Sequence, residues 1–154
     1  SSLSENASFR TAVAKAVCGG LPIWAECGGL IFLCRSIHWQ DRQYPMTGIF
    51  PADIVLDRKP AGHGYEEVVV DRDNPFLPIG TVLRGHEFHY SRLEPTGSLD
   101  TIFQVHKGAG TGNRRDGMIC NNVVACYMHL HALGSHLWVE GLLTAAEKYS
   151  KSRC

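Results

Sequence analysis

Leu21-Pro22-Ile23-Trp24-Ala25-Glu26-Cys27-Gly28-Gly29-Leu30-Ile31-Phe32-Leu33 carries a cysteine between a short apolar run and a stretch that can start a helix. A thiol on a tight turn from strand to helix has the geometry of a nucleophile elbow. Ala25, Gly28 and Gly29 add little bulk, so the backbone can take a strained turn and a substrate can approach the sulfur. At the N-terminal end of the helix the thiol meets the positive end of the dipole, which favours the reactive thiolate. A buried, inert cysteine fits the same five residues around Cys27, because free cysteine is among the most buried residue types. A base placed to serve the thiol distinguishes the two.

Upstream, Ser4 is placed to cap a helix running through Phe9, Val13 and Val17 and closed by Gly19-Gly20. After Ile37 the texture turns to β, with short runs at 46–55, 65–70, 81–86, 101–105, 118–120 and 123–128 separated by Gly, Pro and Asp turns. A last helix over 135–149 sets Leu137, Leu142, Ala145 and Tyr149 broadly on one side. Helices at both ends with strands between them predict an α/β core bearing a β-rich insertion.

Composition narrows the function classes. The 154 residues suffice for one domain with a real core, and 15 basic residues balance 15 acidic ones. That balance gives no argument for nucleic acid. No apolar run approaches the roughly 20 residues of a membrane span, and no signal-peptide layout is seen, so the expectation is a soluble, cytoplasmic protein without a membrane partner. Six cysteines, at 18, 27, 34, 120, 126 and 154, show no Cys-x-x-Cys spacing, which fits reduced thiols better than a disulfide scaffold.

The base is sought in Ala125-Cys126-Tyr127-Met128-His129-Leu130-His131, a β-rich run in which strand alternation points His129 and His131 one way and Leu130 the other. For either ring alone, a hydrogen-bonded structural imidazole is the plain alternative. A third segment, Arg84-Gly85-His86-Glu87-Phe88-His89-Tyr90-Ser91, also concentrates polar chemistry. Its histidines stand at i and i+3 beside a glycine, not at i and i+4 on a helix, and no ligand set has structural-site spacing, so no metal is expected. Gly108-Ala109-Gly110-Thr111-Gly112 lacks the lysine and Ser/Thr of a phosphate loop and reads as a connection between strands.

The elbow, the Tyr127 to His131 run and the Arg84 to Ser91 segment stand in order with Tyr44-Pro45-Met46-Thr47-Gly48, Gly64-Tyr65, Asp73-Asn74-Pro75 and Arg115-Asp116-Gly117. Together they resemble the glutamine amidotransferase domain of the cobyrinate a,c-diamide synthase family over most of the chain. The resemblance implies a class I, triad-type glutaminase of flavodoxin-like α/β fold, joined to an N-terminal ATP-using domain related to dethiobiotin synthetase. It implies ATP-dependent amidation of the a and c acetate side chains of a corrin precursor, with glutamine as nitrogen donor. The same residues would serve a relative that amidates nickel-sirohydrochlorin. Family domains begin upstream with a strand-helix-strand portion and a Gly-Gly turn, so a chain opening at Ser1 is expected to be an N-terminally truncated domain. ATP and Mg²⁺ are then expected in the synthetase domain, and no cofactor in this one.

Under the resemblance, Cys27 attacks the glutamine carboxamide and His129 takes the thiol proton and later protonates the departing ammonia. His131 stands where many class I glutaminases carry the glutamate of the triad; it either orients His129 or packs. Glu87 is a candidate third member. The Gly28 amide is one oxyanion donor and the upstream turn supplies the other, so the chain alone should be a weak glutaminase. His86, Glu87, His89 and Tyr90 line the glutamine pocket, or a covered path for ammonia to the synthetase domain, or form a strand-end hydrogen-bond network. Glutamine, the synthetase domain and a tetrapyrrole acceptor are the expected partners, and a homodimer is left open. Two other classes compete: a silent domain that binds a partner or tetrapyrrole, and a cysteine-elbow hydrolase such as a peptidase.

Overall fold

In the computed structural model, which describes residues 2–152, helix α1 (Ser2–Glu5) leads through Asn6 into α2 (Ala7–Cys18). The cap is Asn6 and not Ser4. The Asn6 side chain accepts the Phe9 amide at 3.0 Å, as a strong N-cap residue does, whereas Ser4 lies inside α1. Strand β1 (Ile23–Glu26), the turn at Cys27 and the short helix α3 (Gly28–Leu33) then follow in the expected order.

Strands β2 (Ser36–Trp39) and β3 (Arg42–Pro45) form a hairpin absent from the sequence reading. Its turn places Gln40 and Asp41 at φ 48° and 60°, a conformation usually announced by Asn-Gly or Asp-Gly. Of residues 46–55 only β4 (Ala52–Leu56) is strand. Before it, the amides of Met46, Thr47, Gly48 and Phe50 bond to the carbonyls of Arg35, Phe32, Cys34 and Leu33. The rest is β5 (Gly62–Val70), β6 (Val82–His89), β7 (Ser91–Pro95), β8 (Asp100–Lys107), β9 (Arg115–Cys120), β10 (Val123–Cys126), a 3₁₀ turn (Ala132–Gly134) and helix α4 (His136–Lys151).

Six strands form one sheet in the order β1-β10-β9-β8-β5-β6, with β1 and β10 parallel and the other pairs antiparallel. A second sheet runs β3-β2-β4-β7. Two apolar cores flank the large sheet, and β10 feeds both by strand alternation: Val123 and Ala125 pack with Leu30, Phe50 and Ile54, while Val124 and Cys126 pack with Phe103, Val105 and Ala145. That double burial is why the run reads as unbroken apolar sequence. On α4, Trp138, Leu142 and Ala145 face the core, but Leu137 points outward. The five described cysteines are free thiols, and Cys154 lies outside the described residues. No helix among the described residues is long and apolar enough to cross a membrane.

Candidate active site

Cys27 sits at φ 45° and ψ −99°, a conformation that costs a non-glycine residue about 1–3 kcal/mol and persists only where its surroundings enforce it. The enforcement comes from both flanks. The Cys27 amide donates to the Cys126 carbonyl at 2.8 Å, tying the elbow to β10, and the Cys27 carbonyl accepts the Ile31 amide of α3 at 3.0 Å. The thiol differs from the expectation of a favoured thiolate. Burial pushes it up, the Gly28 amide only partly opposes this, and the charge of Glu26 pushes it further up. With six residues, α3 does not overcome desolvation. The sulfur therefore keeps its proton until a base removes it.

Strand β6 runs beside the sulfur, and the thiol faces the Phe88 carbonyl at 4.0 Å. Alternation along β6 buries Leu83, Glu87 and His89 and exposes Arg84, His86 and Phe88, so His86 and His89 lie on opposite faces. Beyond β6, Tyr90 is exposed with its ring edge-on to Phe88. The same strand carries the segment after β10: the His129 amide donates to the His86 carbonyl at 2.8 Å, and the His86 amide to the His129 carbonyl at 3.1 Å. Gly85 permits that approach, since a Cβ there would overlap Met128 and lie 2.5 Å from the His129 carbonyl oxygen.

The carboxylate nearest the His129 ring belongs to Glu26, whose Oε2 is 3.7 Å from Nδ1. Its Oε1 accepts the Trp24 indole N–H at 3.1 Å and the Leu130 amide at 3.2 Å. Sequence reading passes over this contact of Glu26 with the His129 ring. The available signal was an acidic residue ending an apolar strand beside the nucleophile. The His131 ring instead accepts the Leu133 amide at 3.3 Å and caps the 3₁₀ turn.

Glu87 faces away from that ring. Its oxygens accept the amides of Ala109 and Gly110 at 2.6 and 3.1 Å, and one lies 3.5 Å from Nε2 of His89. His89 stacks flat on Tyr127 at 3.7 Å, bonds the Ser91 carbonyl through Nδ1 at 2.8 Å, and leaves no room for a side chain at Gly62. The Ala109 and Gly110 amides of the Gly108–Gly112 loop thus point at this chain's own carboxylate, an arrangement that does not fit a nucleotide phosphate. In the Arg115-Asp116-Gly117 motif, Arg115 pairs with Asp71 at 2.8 Å, and Asp116 accepts the amides of Tyr127 and Met128 at 3.0 and 3.3 Å. Asn74 accepts the amides of Phe76 and Leu77, closing the Asp73-Asn74-Pro75 turn.

Residues 1–137 match the model of the CobB/CobQ-like glutamine amidotransferase domain. Cobyrinate a,c-diamide synthase of Methanosphaera stadtmanae is 39% identical over 131 residues, covering 84% of this chain and 28% of that protein. The synthase of Saccharolobus solfataricus is 40% identical over 113 residues, covering 73% of this chain and 26% of its own length. The chain therefore spans under a third of the curated relatives it matches. Among solved structures, a glutamine amidotransferase superposes with a TM-score of 0.63 at 16% identity, covering 90% of this chain and 68% of that one. Another, from Thermotoga maritima, gives 0.53 at 15%, covering 93% and 56%. The α/β fold is that of class I glutamine amidotransferases.

Proposed function

The chain belongs to the family of CobB/CobQ-like glutamine amidotransferase domains, and we propose that it is the glutaminase part of an ATP-dependent cobyrinate a,c-diamide synthase. The observation that carries this reading is the elbow: a thiol at positive φ, tied through the Cys126 carbonyl to the strand that leads directly to His129. His129 removes the Cys27 proton as sulfur attacks the side-chain carbonyl carbon of glutamine. The oxyanion that forms meets the Gly28 N–H. When the carbon–nitrogen bond breaks, His129 returns the proton to nitrogen and ammonia leaves. Water, deprotonated by the same ring, then cleaves the γ-glutamyl thioester to glutamate and free thiol.

Ammonia becomes ammonium in bulk water and loses its nucleophilicity, so it must travel under cover to a carboxylate activated as an acyl phosphate. We assign that activation, with ATP and Mg²⁺, to a synthetase part, and the acceptor to the a and c acetate groups of a corrin precursor. The outward residues His86 and Tyr90 border the glutamine pocket, while Glu87 and His89 brace the sheet beneath it.

Treating the intact enzyme with a glutamine-mimicking diazoketone and mapping its peptides by mass spectrometry tests this reading. Label on Cys27 is expected; an unlabelled Cys27 would sink it. Cys27→Ser should abolish glutamine use and leave free ammonia usable, and loss of both activities would count against a separate glutaminase.

A further inference from the structure

We propose that Glu26 is the positioning carboxylate of this site: it orients His129 and holds the imidazolium that forms during turnover. The inference rests on the glutaminase reading above and supplies the acidic group that is missing two positions after the histidine, where His131 stands.

Three features single out Glu26. First, its carboxylate is fixed before the imidazole needs it. Strand parity sends Trp24 and Glu26 to the same face of β1, and the Trp24 ring is wedged among Phe76, Phe103 and Trp138 at centroid distances of 5.6, 6.1 and 6.0 Å. Its indole N–H is thus a rigid donor to Oε1, joined there by the Leu130 amide. Second, both donors use one oxygen, so Oε2 is left facing Nδ1 of His129 at 3.7 Å. Catalytic hydrogen bonds are often long in the free enzyme and tighten as charge develops. Third, two carboxylates that the motifs offered as alternatives are committed elsewhere: Glu87 to the amides of Ala109 and Gly110, Asp116 to those of Tyr127 and Met128.

The consequence is a defined tautomer. An imidazole whose Nδ1 faces a carboxylate keeps its hydrogen there and presents a bare Nε2 to accept the thiol proton. Lying beside both groups, Glu26 disfavours a free thiolate on Cys27 and turns Oε2 toward Nδ1 of His129, so it serves proton transfer between them rather than spontaneous ionisation of the thiol.

Two measurements on the intact enzyme test the proposal. Nitrogen-15 NMR of the wild type at high pH should find His129 as the Nδ1–H tautomer; an Nε2–H tautomer would overturn the assignment. The Glu26→Gln variant should lose about 10²–10⁴-fold in kcat with glutamine, with KM little changed and ammonia-dependent amidation intact. Glu26→Asp should restore part of the rate. Wild-type rates in Glu26→Gln, or a loss confined to KM, would each refute the role while leaving the glutaminase reading standing. A wild type that amidates with ammonia but never hydrolyses glutamine would defeat both.

Discussion

At Cys27 the backbone, not the side chain, bears the cost of the site. The residue stands at φ 45°, where L-residues are disfavoured and glycine is not. Both Cys27→Gly and Cys27→Ala remove the nucleophile and should be inactive with glutamine. They should differ in stability: the glycine variant is expected to unfold about 1 kcal/mol later than the alanine variant in urea, because only glycine escapes the strain. Equal midpoints would mean that the elbow is relaxed. At this scale the strand–turn–helix around Cys27 was legible in the sequence, since small residues flank a thiol between an apolar run and a helix start. Glu26 was not. An acidic residue ending a strand reads as solvent-facing charge, and its meaning appears only when Leu130 and His129, over a hundred residues later, arrive beside it.

At the scale of elements, β6 joins the parts of the site. It passes Cys27 with the Phe88 carbonyl and pairs His86 with His129. The joint depends on Gly85, where any Cβ would run into Met128 and the His129 carbonyl, a backbone atom that cannot move alone. Gly85→Ala is therefore expected to displace the His129 segment. Thermal unfolding should register about 1–3 kcal/mol of destabilisation from overpacking. Glutamine hydrolysis should fall by more than that loss of folded protein explains, while Cys27 remains chemically labelable. An alanine variant with full glutaminase activity would show that β6 does not set the His129 position. The Arg84 to Ser91 segment was visible as a motif, and alternation could have split its residues by face. Its role as a bracket for another strand could not be read, because period-2 patterning marks a strand without naming its neighbour. The β2–β3 hairpin was missed for a local reason: Gln40-Asp41 takes a left-handed turn without glycine or asparagine.

Across the whole molecule, the parallel pairing of β1 with β10 brings residues 23–26 beside residues 123–126, and β5, β6 and β9 of the same sheet carry a set of buried acids. Short apolar runs and turn residues disclosed most of these strands and the mixed α/β class, but not their order, which depends on contacts between distant segments. The acids are the less expected outcome. Glu66 is only 1% exposed, neither of its oxygens has a partner, and Asp116 and Glu87 lie near enough to repel its charge. Burial first, then those charges, push its carboxyl up to about 9, and burial also raises Asp116 against the pull of its backbone amides. The sign follows from proton binding. Unfolded, Glu66 releases its proton near its ordinary 4.5; folded, it keeps the proton to about 9. The folded state thus holds more protons across that window. The stabilisation is complete below 4.5 and drains away as pH rises, by at most about 1.4 kcal/mol per pH unit for one group. Asp53 beside Arg35 and Asp71 beside Arg115 are held below their ordinary 3.8, so their opposite dependence falls at more acid pH and does not mask the effect. Glu66→Gln keeps the shape and removes the titration. Urea unfolding of wild type and variant from pH 5 to 8.5 should give curves that diverge steadily, with the glutamine variant the more stable at the alkaline end. Parallel curves would mean that Glu66 is already ionised in the folded protein, and that an unseen partner compensates its charge.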